Sequence, residues 1–250
     1  MKIGYLITAR MKSTRLPGKL TLEINERQII RWMIDRLRLS PLLDEIIICT
    51  STNHQDDILE TIAREEDVKV FRGSEEDVIL RLYEASKFYD LGYALNITAD
   101  CPLVSVEYIS EIIKKYEETQ ADLIRTLDLP HGFYSYGIKI AAMRKVCEIK
   151  KDGNTEVWGR YFTDTGMFNV ADIYIPEELR RPDYRLTVDY EDDYRLIKKI
   201  FEYFGNDAYR SSIYDIITFL DENPEIAGIN KHCRALFKEK WEGQNRLVLK

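Results

Sequence analysis

The sequence predicts an α/β fold, a mostly parallel sheet covered by helices on both faces. Two observations carry this. Short apolar runs of strand length alternate with amphipathic stretches of helical period from Ile3 to Arg125. Charged and turn-forming residues gather where the apolar runs end, which is where open α/β sheets bind ligands.

The elements follow in order. Ile3–Ala9 reads as a strand and Gln28–Leu39 as a helix. Glu45–Thr50 is a β-branched strand, followed by a polar-faced helix over Asp56–Glu66. Lys69-Val70-Phe71 is a short strand before a helix over Glu75–Tyr89. Tyr93–Thr98 is a strand that ends at Ala99-Asp100-Cys101-Pro102. The next helix starts near Ser105 and places Val106, Ile109, Ile112, Ile113 and Tyr116 on one face. Ala121–Arg125 is a further strand. The pattern breaks over about 128–182, where glycines, prolines and aromatics crowd together; such a segment caps a sheet or forms an interface. Regular structure returns with a strand over Tyr184–Val188, a helix over Tyr190–Phe204 and another over Ser212–Leu220, before a polar tail.

Composition narrows the partners. The chain has 250 residues, 45% of them hydrophobic, enough for one domain with a sizeable core. Its net charge of -7 argues against nucleic acid. Four scattered cysteines form no CxxC pair, so neither a zinc site nor a disulfide framework is expected, and a reducing cytoplasm is the simplest setting. No signal peptide and no membrane-length apolar run is expected.

Chemistry concentrates in the first loop, Ala9-Arg10-Met11-Lys12-Ser13-Thr14-Arg15-Leu16-Pro17-Gly18-Lys19. Arg10 and Arg15 offer forked donors suited to phosphate oxygens, Lys19 a point charge, and Ser13 and Thr14 hydroxyls. A solvated basic turn is the plain alternative; the density of cations after a buried strand favours phosphate, and with it a nucleoside triphosphate. Asp100 ends a strand, as a ligand residue or as an ordinary turn-former. Asp189 also ends a strand. It suits an N-cap with Asp192 in the capping-box position, yet parallel strands would bring it to one edge with Asp100. Two carboxylates beside phosphates are a usual Mg²⁺ site. Ser74 and Asp77, after Arg72, read as helix caps or as the lining of a base pocket. Gly4 belongs to no GxGxxG fingerprint, and His131 lies in the irregular segment without an assigned role.

That loop, together with Arg72-Gly73-Ser74-Glu75-Glu76-Asp77-Val78, Thr98-Ala99-Asp100-Cys101-Pro102-Leu103, Arg185-Leu186-Thr187-Val188-Asp189 and Glu222-Asn223-Pro224-Glu225, resembles the CMP-sugar synthetases. These are the cytidylyltransferases of acylneuraminate and 3-deoxy-manno-octulosonate; within them the chain is similar to the spore coat polysaccharide biosynthesis protein F type. The resemblance implies a Rossmann-like nucleotidyltransferase fold in a single domain over 1–250, with 128–182 as an acceptor-binding and dimerisation segment. It implies a homodimer that uses CTP and Mg²⁺ and passes CMP to a sugar or sugar-acid acceptor for cell-surface glycans. By position, Ala9, Arg10, Ser13, Arg15 and Lys19 hold the nucleotide, with Arg72, Ser74 and Asp77 near the cytosine. Asp100 and Asp189 hold the metal, and Arg15, Lys19 and Asp100 are the catalytic residues.

The chain departs from the family in two stretches. Phe133-Tyr134-Ser135-Tyr136-Gly137 stands where relatives carry an acidic Gly-x-Asp-x-Glu-like stretch, and Glu156-Val157-Trp158-Gly159 where they often carry Glu-His-Val-Thr. Tyr136 and Trp158 are therefore the expected acceptor contacts, and the acceptor itself stays open. A phosphorylated sugar or alcohol, or a nucleotide-binding protein without turnover, are the competing readings.

Overall fold

Strand β1 (Ile3–Thr8) lies inside the sheet, with two later strands paired parallel to it, one on each side. The computed structural model describes residues 1–151, 153–244 and 247–250. After β1 come a two-residue hairpin, β2 (Glu23–Ile24) and β3 (Arg27–Gln28), helix α1 (Ile29–Leu37), β4 (Glu45–Ser51) and α2 (Asp57–Glu65). Next are β5 (Lys69–Gly73), α3 (Val78–Phe88), β6 (Tyr93–Thr98), α4 (Glu107–Thr119) and β7 (Leu123–Leu127). The rest comprises β8 (Tyr136–Lys139), α5 (Ile140–Ile149), α6 (Gly159–Thr163), β9 (Val170–Tyr174), α7 (Glu191–Phe204), α8 (Ile213–Glu222), α9 (Pro224–Ala227) and α10 (Cys233–Gln244).

The sheet runs β5-β4-β1-β6-β8-β7-β9. Every pairing is parallel except those of β8, which runs antiparallel to both β6 and β7. The chain moves outward from β1 to β4 and β5, then returns to the other flank of β1 as β6. The carboxyl ends of β1 and β6 thus open onto the switch point where α/β sheets bind ligands.

Alternation along β1 explains the two covered faces. Ile3, Tyr5 and Ile7 pack with α1, α2 and α4, while Leu6 packs with α3, α5 and α6 on the other face. Burying these faces supplies the main folding free energy, about 25 cal/mol per Å² of apolar surface. A further cluster joins Leu16, Trp32, Leu103, Phe133, Leu186 and Val188 to α7 and α8. It ties the first loop and the 185–189 segment to the same body.

Several expectations need correction. Tyr184–Val188 is not a strand: it makes one isolated bridge, His131 with Arg185, and its apolar side chains enter the α7–α8 cluster instead of a sheet face. The irregular 128–182 segment contains β8, α5, α6 and β9. Helix α3 begins at Val78, capped by Asp77, which accepts from Leu80 N at 3.2 Å, while Ser74 Oγ accepts from Asp77 N at 3.1 Å. Tyr190, not Asp189, precedes α7, and Asp193 rather than Asp192 takes the backbone N–H groups of Asp189 and Tyr190, at 3.0 and 3.1 Å. The tail folds into α9 and α10, with Pro224 starting α9 where its missing N–H costs nothing.

Candidate active site

The loop after β1 must turn sharply to bring cations back over the strand end. Gly18 does this at φ +68°, a conformation that penalises any side chain, and hands the chain to a short 3-10 helix starting at Lys19. Asp56 pins the loop from the short 3-10 turn that follows β4: its carboxylate accepts from Met11 N at 2.7 Å and from Ser51 Oγ. Arg10 Nη1 donates to Glu75 O at 2.9 Å, and Lys12 pairs with Glu75 at 2.9 Å. The cationic loop is thereby fastened to the turn before α3.

Lys19 is the centre of the charge arrangement. Its buried ammonium lies 2.5 Å from Asp100 Oδ2 and 2.9 Å from Asp189 Oδ1, and Arg15 pairs with the same oxygen of Asp189. The other oxygen of Asp189 accepts from Arg185 at 2.7 Å. Arg185 is held in turn by Asp193 at 3.1 Å, and Asn230 donates to Asp193 at 2.7 Å. Asp100 is fixed by its backbone, whose carbonyl accepts from Val188 N at 2.8 Å and from Thr187 Oγ1 at 3.1 Å. These bonds stitch the end of β6 to the 187–189 segment.

The charge states follow. Burial opposes the charge on Lys19, but Asp100 and Asp189 outweigh it and its pKa lies above the ordinary lysine value. Burial also works against Asp189; Lys19, Arg15 and Arg185 overcome it and hold the carboxylate well below its usual range. Burial pushes the Cys101 thiol far up, and Asp100 adds to that, so this cysteine is no nucleophile.

Two cavities adjoin at this cluster. The smaller, about 280 Å³, is lined by Arg10, Lys12, Ser13, Thr14, Arg15 and Lys19 from the loop. The larger, about 490 Å³, is walled by Tyr134, Tyr136, Trp158 and Phe237, with Arg125, Arg160 and His131. Arg15, Thr98, Asp100, Glu156 and Trp158 line both. Trp158 meets Tyr136 edge-on at 5.2 Å and Phe162 at 5.7 Å, which stiffens the wall. Glu156 reaches back to Arg10 at 3.5 Å.

The structure therefore brings together Arg10, Ser13, Arg15, Lys19, Asp100, Asp189, Tyr136 and Trp158. Ala9, Arg72, Ser74 and Asp77 line neither cavity. Ala9 is buried and donates its N–H to Cys49 O at 3.1 Å. Arg72 is spent on Ser51 O at 3.0 Å, Asn53 O at 2.9 Å and the carboxylates of Asp57 and Glu60. Asp77 binds Lys150 and accepts from Thr155 Oγ1 at 2.9 Å. Sequence reasoning missed Asp56, Arg185, His131 as an element of the site, and Phe237. Nothing local marks Asp56; Arg185 opens the 185–189 motif without a role assigned to it there, and the aromatic at 237 lies in what reads as a polar tail.

The donor set suits a divalent cation. Asp100 Oδ2 and Asp189 Oδ1 converge on one ammonium, so Lys19 stands in for a cation between two carboxylates. Among the described residues no group of three His, Cys, Asp or Glu side chains converges; the remaining oxygens would come from phosphate and water.

Comparison with known proteins identifies the family and the fold. Residues 5–174 match the profile of the family described as Cytidylyltransferase. The chain is 30% identical over 232 residues to the spore coat polysaccharide biosynthesis protein SpsF of Bacillus subtilis, covering 90% of this chain and 96% of that protein. A cytidylyltransferase structure from Leptospira borgpetersenii superposes with a TM-score of 0.83 at 29% identity, over 91% of this chain and 97% of that one. A CMP:2-keto-3-deoxy-manno-octonic acid synthetase complexed with CTP shares the fold, with a TM-score of 0.63 at 12% identity over 82% of this chain and 100% of that one. The chain belongs to the cytidylyltransferase family.

Proposed function

We propose that this cytidylyltransferase transfers CMP from CTP to a sugar or sugar-acid acceptor and releases pyrophosphate, supplying activated sugars for cell-surface glycans. The observation that carries the proposal is the meeting of two cavities at Asp100: a cationic one sized for phosphates and an aromatic one sized for a sugar. In this reading the acceptor oxygen displaces pyrophosphate from the α-phosphorus, chemistry that rests on positioning and charge stabilisation. Arg10, Ser13, Arg15 and Lys19 bind the triphosphate, and Arg15 and Lys19 steady the charge on the departing pyrophosphate. Asp100 and Asp189 would hold Mg²⁺, which when bound offsets phosphate charge and polarises the α-phosphate. Lys19 exchanges its carboxylate partners for phosphate oxygens as the nucleotide enters. The turn over 72–77 borders the base, with Ser74 and Asp77 shaping its backbone. Tyr136 and Trp158 supply apolar faces to the acceptor.

The same reading places the enzyme in a reducing cytoplasm, in keeping with its four unpaired thiols, and as a homodimer through the 128–182 segment. Among the described residues no helix is long and apolar enough to cross a membrane.

The test is pyrophosphate release from each of the four nucleoside triphosphates with Mg²⁺, against a panel of sugars, sugar acids including 3-deoxy-manno-octulosonate, and sugar phosphates. Mass spectrometry then identifies the CMP conjugate. Release with CTP and a sugar acid supports the proposal. Release only with phosphorylated acceptors moves the assignment to that class. CTP binding without turnover on any acceptor leaves a nucleotide-binding protein.

A further inference from the structure

His131 belongs to no part of the machinery above, yet it lines the acceptor cavity and its ring is unusually constrained. Tyr134 stacks on it at 5.7 Å and 10°, and Phe237 of α10 closes the other approach at 5.1 Å. The preceding Pro130 and following Gly132 shape the turn. Gly132, at φ +110°, brings the backbone so close to Leu186 that a Cβ would lie 2.3 Å from its carbonyl oxygen. That approach lets Leu186 N donate to His131 O at 2.6 Å and sets the imidazole against Arg185.

Arg185 Nη1 lies 3.0 Å from His131 Nδ1. A guanidinium has no lone pair to offer, so Arg185 donates and Nδ1 accepts. The ring is then neutral and its proton sits on Nε2. Among the described residues Nε2 has no protein partner, and it is not one of the unpartnered atoms shut off from solvent. Burial and Arg185 both disfavour a second proton, holding the pKa down to about 4. Arg185 itself is fixed by Asp189 at 2.7 Å, by Asp193 at 3.1 Å and by the face of Phe237 at 4.8 Å, so the tautomer is set by residues that cannot easily move.

We propose that His131 presents Nε2–H as a fixed hydrogen-bond donor to a lone pair on an oxygen of the acceptor and is not the base that takes the acceptor's proton. The assignment rests on the acceptor reading given above. The recognised group is an oxygen lone pair, whether of a sugar acid or of a sugar phosphate. An acceptor that offers only an N–H or a methyl at this point leaves the donor unpaired and is rejected.

The test has two arms. Histidine-labelled protein gives three imidazoles, and the signal lost in His131→Gln identifies His131. Its ring ¹⁵N shifts are expected to report the Nε2–H tautomer unchanged from about pH 5.5 to 8. An Nδ1–H tautomer or an imidazolium in that range overturns the proposal. In the kinetic arm, 3-deoxy-manno-octulosonate and mannose 1-phosphate serve as acceptor probes with CTP and Mg²⁺. On whichever turns over, His131→Phe is expected to raise the acceptor KM about tenfold or more while the KM for CTP moves less than about twofold. His131→Gln, which keeps a donor, stays near wild type. An unchanged acceptor KM in folded His131→Phe overturns the proposal. Failure of the wild type on both probes counts against the acceptor reading, while the tautomer measurement still decides the assignment of His131.

Discussion

Lys19 holds its ammonium 2.5 Å from Oδ2 of Asp100, so a cation already stands where the carboxylates of the site converge. Removing it takes away the cation that lies between Asp100 and Asp189, while Arg15 and Arg185 stay on Asp189. In Lys19→Met, Mg²⁺ affinity without nucleotide is expected to rise about tenfold. Turnover with CTP is expected to fall about 100-fold, because the triphosphate loses its buried counter-charge. Calorimetric titration and pyrophosphate release measure the two sides; weaker Mg²⁺ binding in the variant contradicts the picture of competition.

Asp100→Asn keeps the shape of the residue and the backbone bonds to Val188 and Thr187. Metal-dependent turnover is expected to drop at least about 100-fold with the melting temperature nearly unchanged. Wild-type rates of pyrophosphate release from this variant exclude a metal role for Asp100.

Trp158 is buried between Tyr136 and Phe162 and also walls both cavities. Trp158→Ala is expected to cost about 3–5 kcal/mol of stability through the void it leaves. Trp158→Phe should retain most of that stability and raise the acceptor KM. Denaturant unfolding and steady-state kinetics separate the two effects.

Asp77 caps α3, pairs with the half-buried Lys150 and accepts from Thr155. Asp77→Ala removes the cap, worth about 1 kcal/mol, and breaks the ion pair with Lys150. The loss should appear in thermal unfolding even without nucleotide. A variant as stable as wild type shows that the Lys150 pairing contributes nothing.

Acid stability carries the sign of His131. Its pKa in the folded protein is about 4, below the ordinary 6.5, so the native state binds fewer protons than the unfolded chain between those values. Stability from this group is complete above about pH 6.5 and is lost as pH falls toward 4, by at most about 3 kcal/mol. His131→Gln is expected to flatten the unfolding free energy over that window.

Strand and helix period made β1, β4, β5, β6 and β7 legible, because each apolar face has a helix to meet, whereas the two-residue strands β2 and β3 are too short to show a period. β8 is four residues long and runs against its neighbours, and β9 exposes its outer edge, so neither shows a clear alternation. Leu186 and Val188 misled for the opposite reason: their β-type pattern serves a helix-facing cluster without a ladder. At the site, Arg10, Arg15, Lys19 and Asp100 carry a local signal in strand-end position and residue type, and Asp189 carries one in residue type alone. The seat of His131 against Arg185 joins stretches 54 residues apart, and the grip of Arg185 on Asp189 four residues on depends on side-chain direction; periodicity registers neither.

The two cavities share a wall at Arg15, Thr98, Asp100, Glu156 and Trp158. Under the proposed function, a nucleotide seated in one would form part of the boundary of the other. Occupancy of the two is thermodynamically linked: whatever factor CTP adds to the affinity for acceptor, the acceptor must return to CTP. Under the proposed function, acceptor affinity measured with and without CTP, and CTP affinity measured with and without acceptor, should therefore change by the same factor.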